Sequence, residues 1–486
     1  MLAAVRGLCL LFVVLVGCQQ GRPDWHSQVI YLAMPDRFAD GDPSNDAASG
    51  CFDRSAPRSF HGGDLAGLRA HLGYIQSIGA TALWVTPPNK QADPCGYHGY
   101  WIDYADPPDD AIEPELGTTD QLVGLVDDLH GRGMRFVLDM VVNHAGDHAR
   151  VAAQHPSWFH DRAHCDSVIT CPLGTHPDFA QEQPQVAAYL SNIEARAAAR
   201  YSIDGLRMDT AKHVAPEYFA QSFFPTVRAA RPTVWSVAEI FDGSSARVFA
   251  PYLDAGFDSA FHYPLHGALI DAIAKGKPLA RIAETVAETI AALGEARARS
   301  LVLFADNHDV PRFATELAGL PDDEARARLL SAYALIFTLP GIPQLYYGDE
   351  LGMLGGADPD NRRDLPSWAF DPIARAHAHP GEALAGSDVI FARVQRLAQL
   401  RTTVRALATG GYRELARDPI YVFERGDGAD RRIIAIGSGA ARVAIDVPDG
   451  TRLIDDLGDA PSLTVEKHAV SLALPTWRAA IYRITP

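Results

Sequence analysis

Eight short apolar runs, each followed by a stretch of helical periodicity, predict an α/β fold whose parallel strands close into a (β/α)8 barrel. Two interruptions of that alternation complete the expectation. A long polar excursion after the third run predicts an inserted subdomain beside the barrel. A change near Arg405 to short alternating apolar runs predicts a C-terminal antiparallel β-sandwich domain.

The 486 residues suffice for one large domain with smaller ones attached. Residues 1–17 read as an export signal, with Arg6 ahead of an apolar run from Gly7 to Val16 that is too short to span a bilayer. The run ends in Leu15-Val16-Gly17-Cys18, which resembles a bacterial lipobox and implies cleavage before Cys18 and lipidation of its thiol. The competing reading is an ordinary signal peptide with an incidental cysteine. Residues 18–27 are then a tether, and the expected product is an exported lipoprotein anchored by lipid, with the outer membrane compatible with Gln19. Export leaves Cys51, Cys95, Cys165 and Cys171. An even number in an oxidising compartment suggests two bridges, Cys165–Cys171 by proximity and Cys51–Cys95 by remainder. The net charge of -17 argues against nucleic acid and anionic membrane surfaces as partners and is indifferent to a neutral substrate.

Strand candidates follow at 28–34, 81–86, 134–142, 203–208, 233–240, 256–261, 300–305 and 342–346. Helix candidates lie between them at 64–78, 119–131, 186–200 and 323–338. The barrel is therefore assigned to 28–143 and 186–404, with a closing helix at 386–402, and the inserted subdomain to 144–185. Within the C-terminal domain, 405–486, the runs 419–424 and 432–436 read as strands between Gly and Asp turns.

Charged residues at the C-terminal ends of barrel strands share one mouth. The third run ends in Asp139, Asn143 and His144, the fourth in Arg207 and Asp209, the fifth in Glu239, and the seventh in Asp306-Asn307-His308-Asp309. On an extended strand Arg207 and Asp209 face the same way, so a guanidinium can hold that carboxylate ionised and aim it. Glu239 follows the apolar run VWSVA, which suits a partly desolvated proton donor. Paired carboxyls of opposite protonation are what glycoside hydrolysis requires. The bland alternative, strand-end salt bridges, would have to recur on four strands at once.

These motifs resemble the signature regions of the α-amylase family, glycoside hydrolase family 13: LDMVVNH (138–144), DGLRMDTAKH (204–213), AEIF (238–241) and FADNHD (304–309). GATALWVTPP (79–88), YHGYW (97–101) and GIPQLYYGDE (341–350) are similar to further family stretches. The resemblance implies Asp209 as nucleophile, Glu239 as general acid/base and Asp309 as transition-state stabiliser. It casts Arg207 as the group that orients Asp209, His144 and His308 as hydrogen-bond partners of the sugar at the cleavage point, and Tyr100 as its stacking platform beside His98 and Trp101. Lys212 and His213 would line the leaving-group side. GADPDNRRDLP (356–366) is similar to a donor-side stretch and implies Asp358 and Arg362 as sugar contacts.

Structural calcium is also implied, at one or two sites. Asn143, Asp178 and the carbonyl of His213 match positions that hold the ion between barrel and insert, although Ala180 and Gln183 stand where asparagines are usual. DRFADGDPSND (36–46) with HGGD (61–64) is similar to a second calcium loop, with Asp40, Asp42, Asn45, Asp46, the carbonyl of Gly62 and Asp64 as ligands. An acidic turn without metal is the alternative.

The resulting expectation is a monomeric, retaining, endo-acting hydrolase of α-1,4-glucosidic bonds in starch and maltodextrins. A cyclomaltodextrinase or neopullulanase is the alternative, because MPDRFADGDPSND resembles their first strand. A non-catalytic surface glucan-binding lipoprotein is the third reading. The short stretch before the first strand and the eighty or so residues after the barrel favour the α-amylase type.

Overall fold

The computed structural model describes residues 24–485, so the signal and lipidation expectations, Cys18 included, lie outside the described residues. Eight parallel strands form the barrel: β1 (Ile30–Ala33), β2 (Ala82–Val85), β3 (Arg135–Met140), β4 (Gly205–Met208), β5 (Trp235–Ala238), β6 (Ser259–Ala260), β7 (Val302–Leu303) and β8 (Ile342–Tyr346). They pair in the order β6-β5-β4-β3-β2-β1-β8-β7, and a parallel bridge between Phe261 and Val302 closes the ring. Every residue of these strands except Arg135 at the start of β3 is buried, as expected for strands covered by helices outside and side chains within. β6 and β7 keep two residues each where six were expected, since their pairing reduces to that single bridge.

The helices follow the apolar periodicity. The stretch expected as one helix over 64–78 is two, Leu65–Ala70 and Leu72–Ile78, broken where His71 leaves helical geometry (φ -104°, ψ 15°). Thr119–Gly131 opens with a full capping box between Thr118 and Gln121. Pro184–Arg200 and Asp322–Thr338 start on proline or acidic residues, which suit a helix N-terminus.

Between β3 and the helix Pro184–Arg200, the described chain carries only short turns of helix, including Arg150–Gln154, Pro156–Trp158 and Arg162–His164. Its two ends are pinned together by a bridge between His144 and Asp178 and by donation from Ala145 N to Pro177 O (3.0 Å). Cys165–Cys171 and Cys51–Cys95 both form, with Cα separations of 4.6 Å and 5.5 Å. After β8 and the helix Ser387–Thr403 come six antiparallel strands: β9 (Tyr412–Ala416), β10 (Ile420–Asp427), β11 (Asp430–Ala444), β12 (Arg452–Asp455), β13 (Leu463–Thr464) and β14 (Ala469–Thr485).

These six make one sheet, β13-β12-β14-β11-β10-β9, and the long β11 and β14 change register at Gly437 and Gly439. Residues from both halves of these strands, Ile433 and Ala480 with Val443 and Leu472, meet in one apolar cluster. The sandwich is thus a single sheet folded on itself. Its other face packs on the barrel: Tyr421, Phe423, Ile434, Ile436 and Ile481 belong to the main core, their strand neighbours Ile420, Val422, Ile433 and Ala435 to the smaller one. No helix among the described residues is long and apolar enough to cross a membrane.

Candidate active site

Strand β4 delivers Arg207 with its side chain 1% exposed. Its guanidinium meets Asp139 Oδ1 (2.9 Å) and Asp209 Oδ1 (2.7 Å) through Nη1, and Glu239 Oε1 (2.6 Å) and Asp309 Oδ2 (3.9 Å) through Nη2. Four strands therefore point carboxylates at one cation. β3 positions Asp139, which also accepts from Tyr100 Oη (2.8 Å) and Trp84 Nε1 (3.1 Å). Just past β4, Thr210 takes a left-handed conformation (φ +46°), from which its N–H donates to Glu239 Oε2 (2.8 Å) and its hydroxyl to Asp209 Oδ2 (2.9 Å). One strained residue thus links the two carboxyls that the chemistry would use.

One positive charge among so many carboxylates leaves several short of a partner. Burial pushes Asp209 up, with Arg207 opposing and the Glu239 and Asp309 charges adding to the rise. Glu239 is raised by burial too, again against Arg207, and further by Asp309 as a like charge and hydrogen-bond partner. Asp139 is pushed by burial to about 8. The cluster therefore retains protons near neutral pH, and the Asp209–Glu239 pair titrates as a unit.

Three histidines of the site, His98, His144 and His308, are held in the neutral form. Burial lowers His98 and His308 well below the usual imidazole range and His144 to about 3. His308 Nε2 sits 2.6 Å from Tyr100 Oη, and Tyr100 N donates to His98 Nδ1 (3.1 Å), so the aromatic platform is wired to both. An open cleft of about 610 Å³ lies above. His98, Tyr100, Trp101, His144, Asp209, Lys212, His213, Glu239, Asp309, Asp358 and Arg362 all line it, while Arg207 and His308 lie just beneath, each 1% exposed. Lys212 donates to Asp242 Oδ2 (3.0 Å), and Arg362 reaches Asp309 Oδ1 (3.2 Å) and Asp358 Oδ1 (3.3 Å).

Several lining residues were not foreseen: Thr210, Arg58, His176, Val168, Leu173 and Phe241. Thr210 lies inside a quoted motif, and only its backbone conformation marks it. Val168 sits in the loop that Cys165–Cys171 closes, and its carbonyl lies 3.0 Å from His213 Nδ1. Arg58 pairs with Asp358 (3.2 Å) across 300 residues of sequence, which no local pattern announces.

For a cation, the first expected set holds together. His144 Nε2 faces the carbonyl of Tyr100 (3.1 Å) and must donate to it, so in the neutral ring Nδ1 accepts from the Asn143 amide nitrogen at 3.2 Å. That orientation leaves Asn143 Oδ1 facing the His213 carbonyl oxygen at 3.1 Å and Asp178 Oδ1 at 3.3 Å. Three converging oxygens without a proton between them suit a hard cation. Turning the amide over would satisfy the oxygens only by placing a second proton on His144, which burial opposes.

The second set is looser. Asn45 Oδ1 and Asp46 Oδ1 are buried without a hydrogen-bond partner among the described residues, and burial raises Asp46. Gly62 lies so close to Asp46 that a Cβ there would meet its Oδ1 at 2.6 Å. Asp40 instead turns to Arg54 (2.9 Å), Asp42 accepts from the Ser44 hydroxyl (2.5 Å), and Asp64 accepts from Gly67 N (2.6 Å) and Asp42 N (2.9 Å). Among the described residues no three His, Cys, Asp or Glu side chains converge as a metal set, so a cation at either place would lean on amide and carbonyl oxygens.

Known proteins share this architecture. The family model "alpha amylase, catalytic domain" matches residues 31–166 and 154–367. The chain is 29% identical over 480 residues to a β/α-amylase of Paenibacillus polymyxa, a match that covers 93% of this chain and 37% of that protein. It is 33% identical over 430 residues to neopullulanase 2 of Thermoactinomyces vulgaris, covering 83% of this chain and 68% of that one. The crystal structure of an Anoxybacillus α-amylase superposes with a TM-score of 0.83 at 28% identity, over 96% of this chain and 99% of the other. With the family model covering most of the barrel and the carboxylates gathered at its mouth, the chain belongs to the α-amylase family of glycoside hydrolases.

Proposed function

We propose that the protein hydrolyses α-1,4-glucosidic bonds within starch and maltodextrins with retention of configuration. One observation carries the reading: Arg207 touches both Asp209 (2.7 Å) and Glu239 (2.6 Å) at the floor of an open cleft. A shared guanidinium brings the two carboxyls to one place, and double displacement uses a pair about 5 Å apart, closer than the gap that admits a water. Asp209, held by Arg207 and Thr210, is the nucleophile. Glu239, raised by burial and by Asp309, protonates the leaving oxygen and then deprotonates the incoming water. Asp309, His144 and His308 bind the sugar at the cleavage point, Tyr100 stacks on it beside His98 and Trp101, Lys212 and His213 face the leaving group, and Asp358 and Arg362 the donor end. An acidic protein suits a neutral polymer.

Asp209→Asn and Glu239→Gln should each lower turnover of soluble starch roughly 10⁴-fold or more while leaving the thermal transition in place. Near-normal turnover in either variant would sink the assignment. A cyclomaltodextrinase or neopullulanase activity is the second reading, favoured by the match to neopullulanase 2. Faster opening of β-cyclodextrin than loss of iodine staining from starch would select it. Binding of maltodextrin without release of reducing ends would select a non-catalytic binder.

Calcium is proposed at Asn143, Asp178 and the His213 carbonyl, where three oxygens converge, and in the Asn45–Asp46 loop, whose free oxygens support it less fully. There it would tie the segment before Pro184 to the barrel, and its removal by EGTA should lower the thermal midpoint by several degrees. An unchanged midpoint would dismiss it. Export as a monomeric lipoprotein is likewise proposed, from residues 1–18, and release of a Cys18→Ser variant from membranes is its test.

A further inference from the structure

Cys165–Cys171 closes a short loop at the rim of the cleft, and Val168 at its middle lines the cleft. Within the loop, Thr170 Oγ1 donates to Asp166 Oδ1 (2.8 Å), and Ser167 Oγ accepts from the N–H groups of Ile169 and Thr170 (3.3 Å each). Ser167 O also accepts from Thr170 N (3.2 Å). Among the described residues, the one hydrogen bond that leaves residues 165–171 for the rest of the chain runs from His213 Nδ1 to Val168 O (3.0 Å). Burial does not hold Val168 either, since the residue is 51% exposed. What keeps its carbonyl at His213 is the covalent closure of the loop together with the turn inside it.

That contact decides what His213 offers to the cleft. A carbonyl oxygen only accepts, so Nδ1 carries the hydrogen, and in the neutral imidazole Nε2 is the acceptor. The main chain beneath does not depend on the loop: Lys212 N donates to Glu239 O (3.3 Å) and His213 N to Thr210 O (2.8 Å). The Lys212 side chain is tied to the segment after β5, where Nζ donates to Phe241 O (3.3 Å) and Asp242 Oδ2 (3.0 Å). Only the orientation and tautomer of the His213 imidazole are left to Val168.

We propose that the Cys165–Cys171 loop is a positioning element for the leaving-group side of the cleft: it holds Val168 O at His213 Nδ1 and so presents His213 Nε2 as an acceptor for a hydroxyl of the departing glucan. The inference rests on the glucan-hydrolase reading for what His213 receives, not for how it is held. Opening the bridge frees the loop and leaves the imidazole without its partner, while Asp209 and Glu239 keep their bonds to Arg207 and Thr210. The loss falls on binding rather than on the chemical step, because bound substrate and transition state make this contact alike.

The test compares the wild type with Cys165→Ser combined with Cys171→Ser, in calcium, on two substrates. One is maltohexaose; the other is α-maltosyl fluoride, whose departing fluoride ion uses no sugar contact. The double variant should raise KM for maltohexaose about fivefold with kcat little changed, and keep kcat/KM for the fluoride within about twofold. In a His213→Ala background, which retains the carbonyl at 213, the same pair should change KM by less than about twofold, because the loop then has no imidazole to hold. With 15N-labelled histidine, the His213 signal, assigned by its absence from His213→Ala, should report Nδ1–H in the wild type and lose that tautomer when the bridge is removed. Val168→Gly, which keeps the bridge but loosens the carbonyl, should raise KM for maltohexaose and shift the same signal, and serves if the serine variant does not fold. An unchanged KM, an equal loss on both substrates, full additivity with His213→Ala, or Nε2–H at His213 in the wild type overturns the proposal. Absence of turnover of both substrates by the wild type would count against the glucan-hydrolase reading alone, because the His213 signal still decides the positioning role.

Discussion

Arg207 is one buried cation among the carboxylates of Asp139, Asp209 and Glu239, with Asp309 at 3.9 Å. Removing it would strand several charges in a desolvated pocket, so Arg207→Leu should cost stability as well as activity, on the order of 3–5 kcal/mol by chemical denaturation. Tyr100 Oη bonds Asp139 and His308, and Tyr100→Phe should weaken transition-state binding by roughly 1.5–3 kcal/mol, read as kcat/KM. The pH profile of kcat should be bell-shaped. The productive state needs Asp209 ionised and Glu239 protonated, so the rate climbs as the pair loses its first proton and falls as it loses the second. Because the Asp309 charge raises Glu239, Asp309→Asn should move the alkaline limb of its residual activity to lower pH. An unmoved limb would mean that the donor's proton is held by something else.

At the scale of elements, Asp64 caps the helix Leu65–Ala70 and also takes N–H bonds from Gly41 (3.2 Å) and Asp42 (2.9 Å). It organises the acidic loop whether or not that loop binds calcium. Asp64→Ala should lower stability by about 1–2 kcal/mol in EGTA as well as in calcium, whereas Asp46→Ala should matter only when calcium is present. An Asp64→Ala effect confined to calcium-loaded protein would reverse that assignment. The motif around Asp64 suggested a calcium ligand, and the backbone shows that the same carboxylate also caps a helix through Gly67 N.

At the scale of the molecule, the barrel and the β domain are joined by buried arginines that have no carboxylate partner among the described residues. Arg401, 0% exposed, donates to the carbonyls of His26, Phe337, Gly341 and Leu407, and Arg425 donates to those of Thr338, Gly410 and Gly411. They neutralise the carbonyl end of the helix Asp322–Thr338, where cations are favoured. Arg401→Met should cost about 3 kcal/mol or more, and a chain ending at residue 404, which bares the barrel face covered by Tyr421, Phe423 and Ile434, should not accumulate as soluble protein. A soluble, active truncation would show that the interface is dispensable.

Much of this was present in the linear chain. Short apolar runs located the eight barrel strands and period-3.6 patterns the main helices, because burial is a local demand on residue type. Polar residues at strand ends marked Asp209, Glu239 and Asp309, because a barrel sends every such end to one mouth. The β domain was harder: the runs in β10 and β11 are apolar on both faces, and only the folded sheet reveals that one face meets the barrel. The burial of Glu113 and Glu115 and the donation from Gln91 N to Glu113 arise where separate segments pack together, and no local pattern encodes a dielectric that only tertiary packing creates.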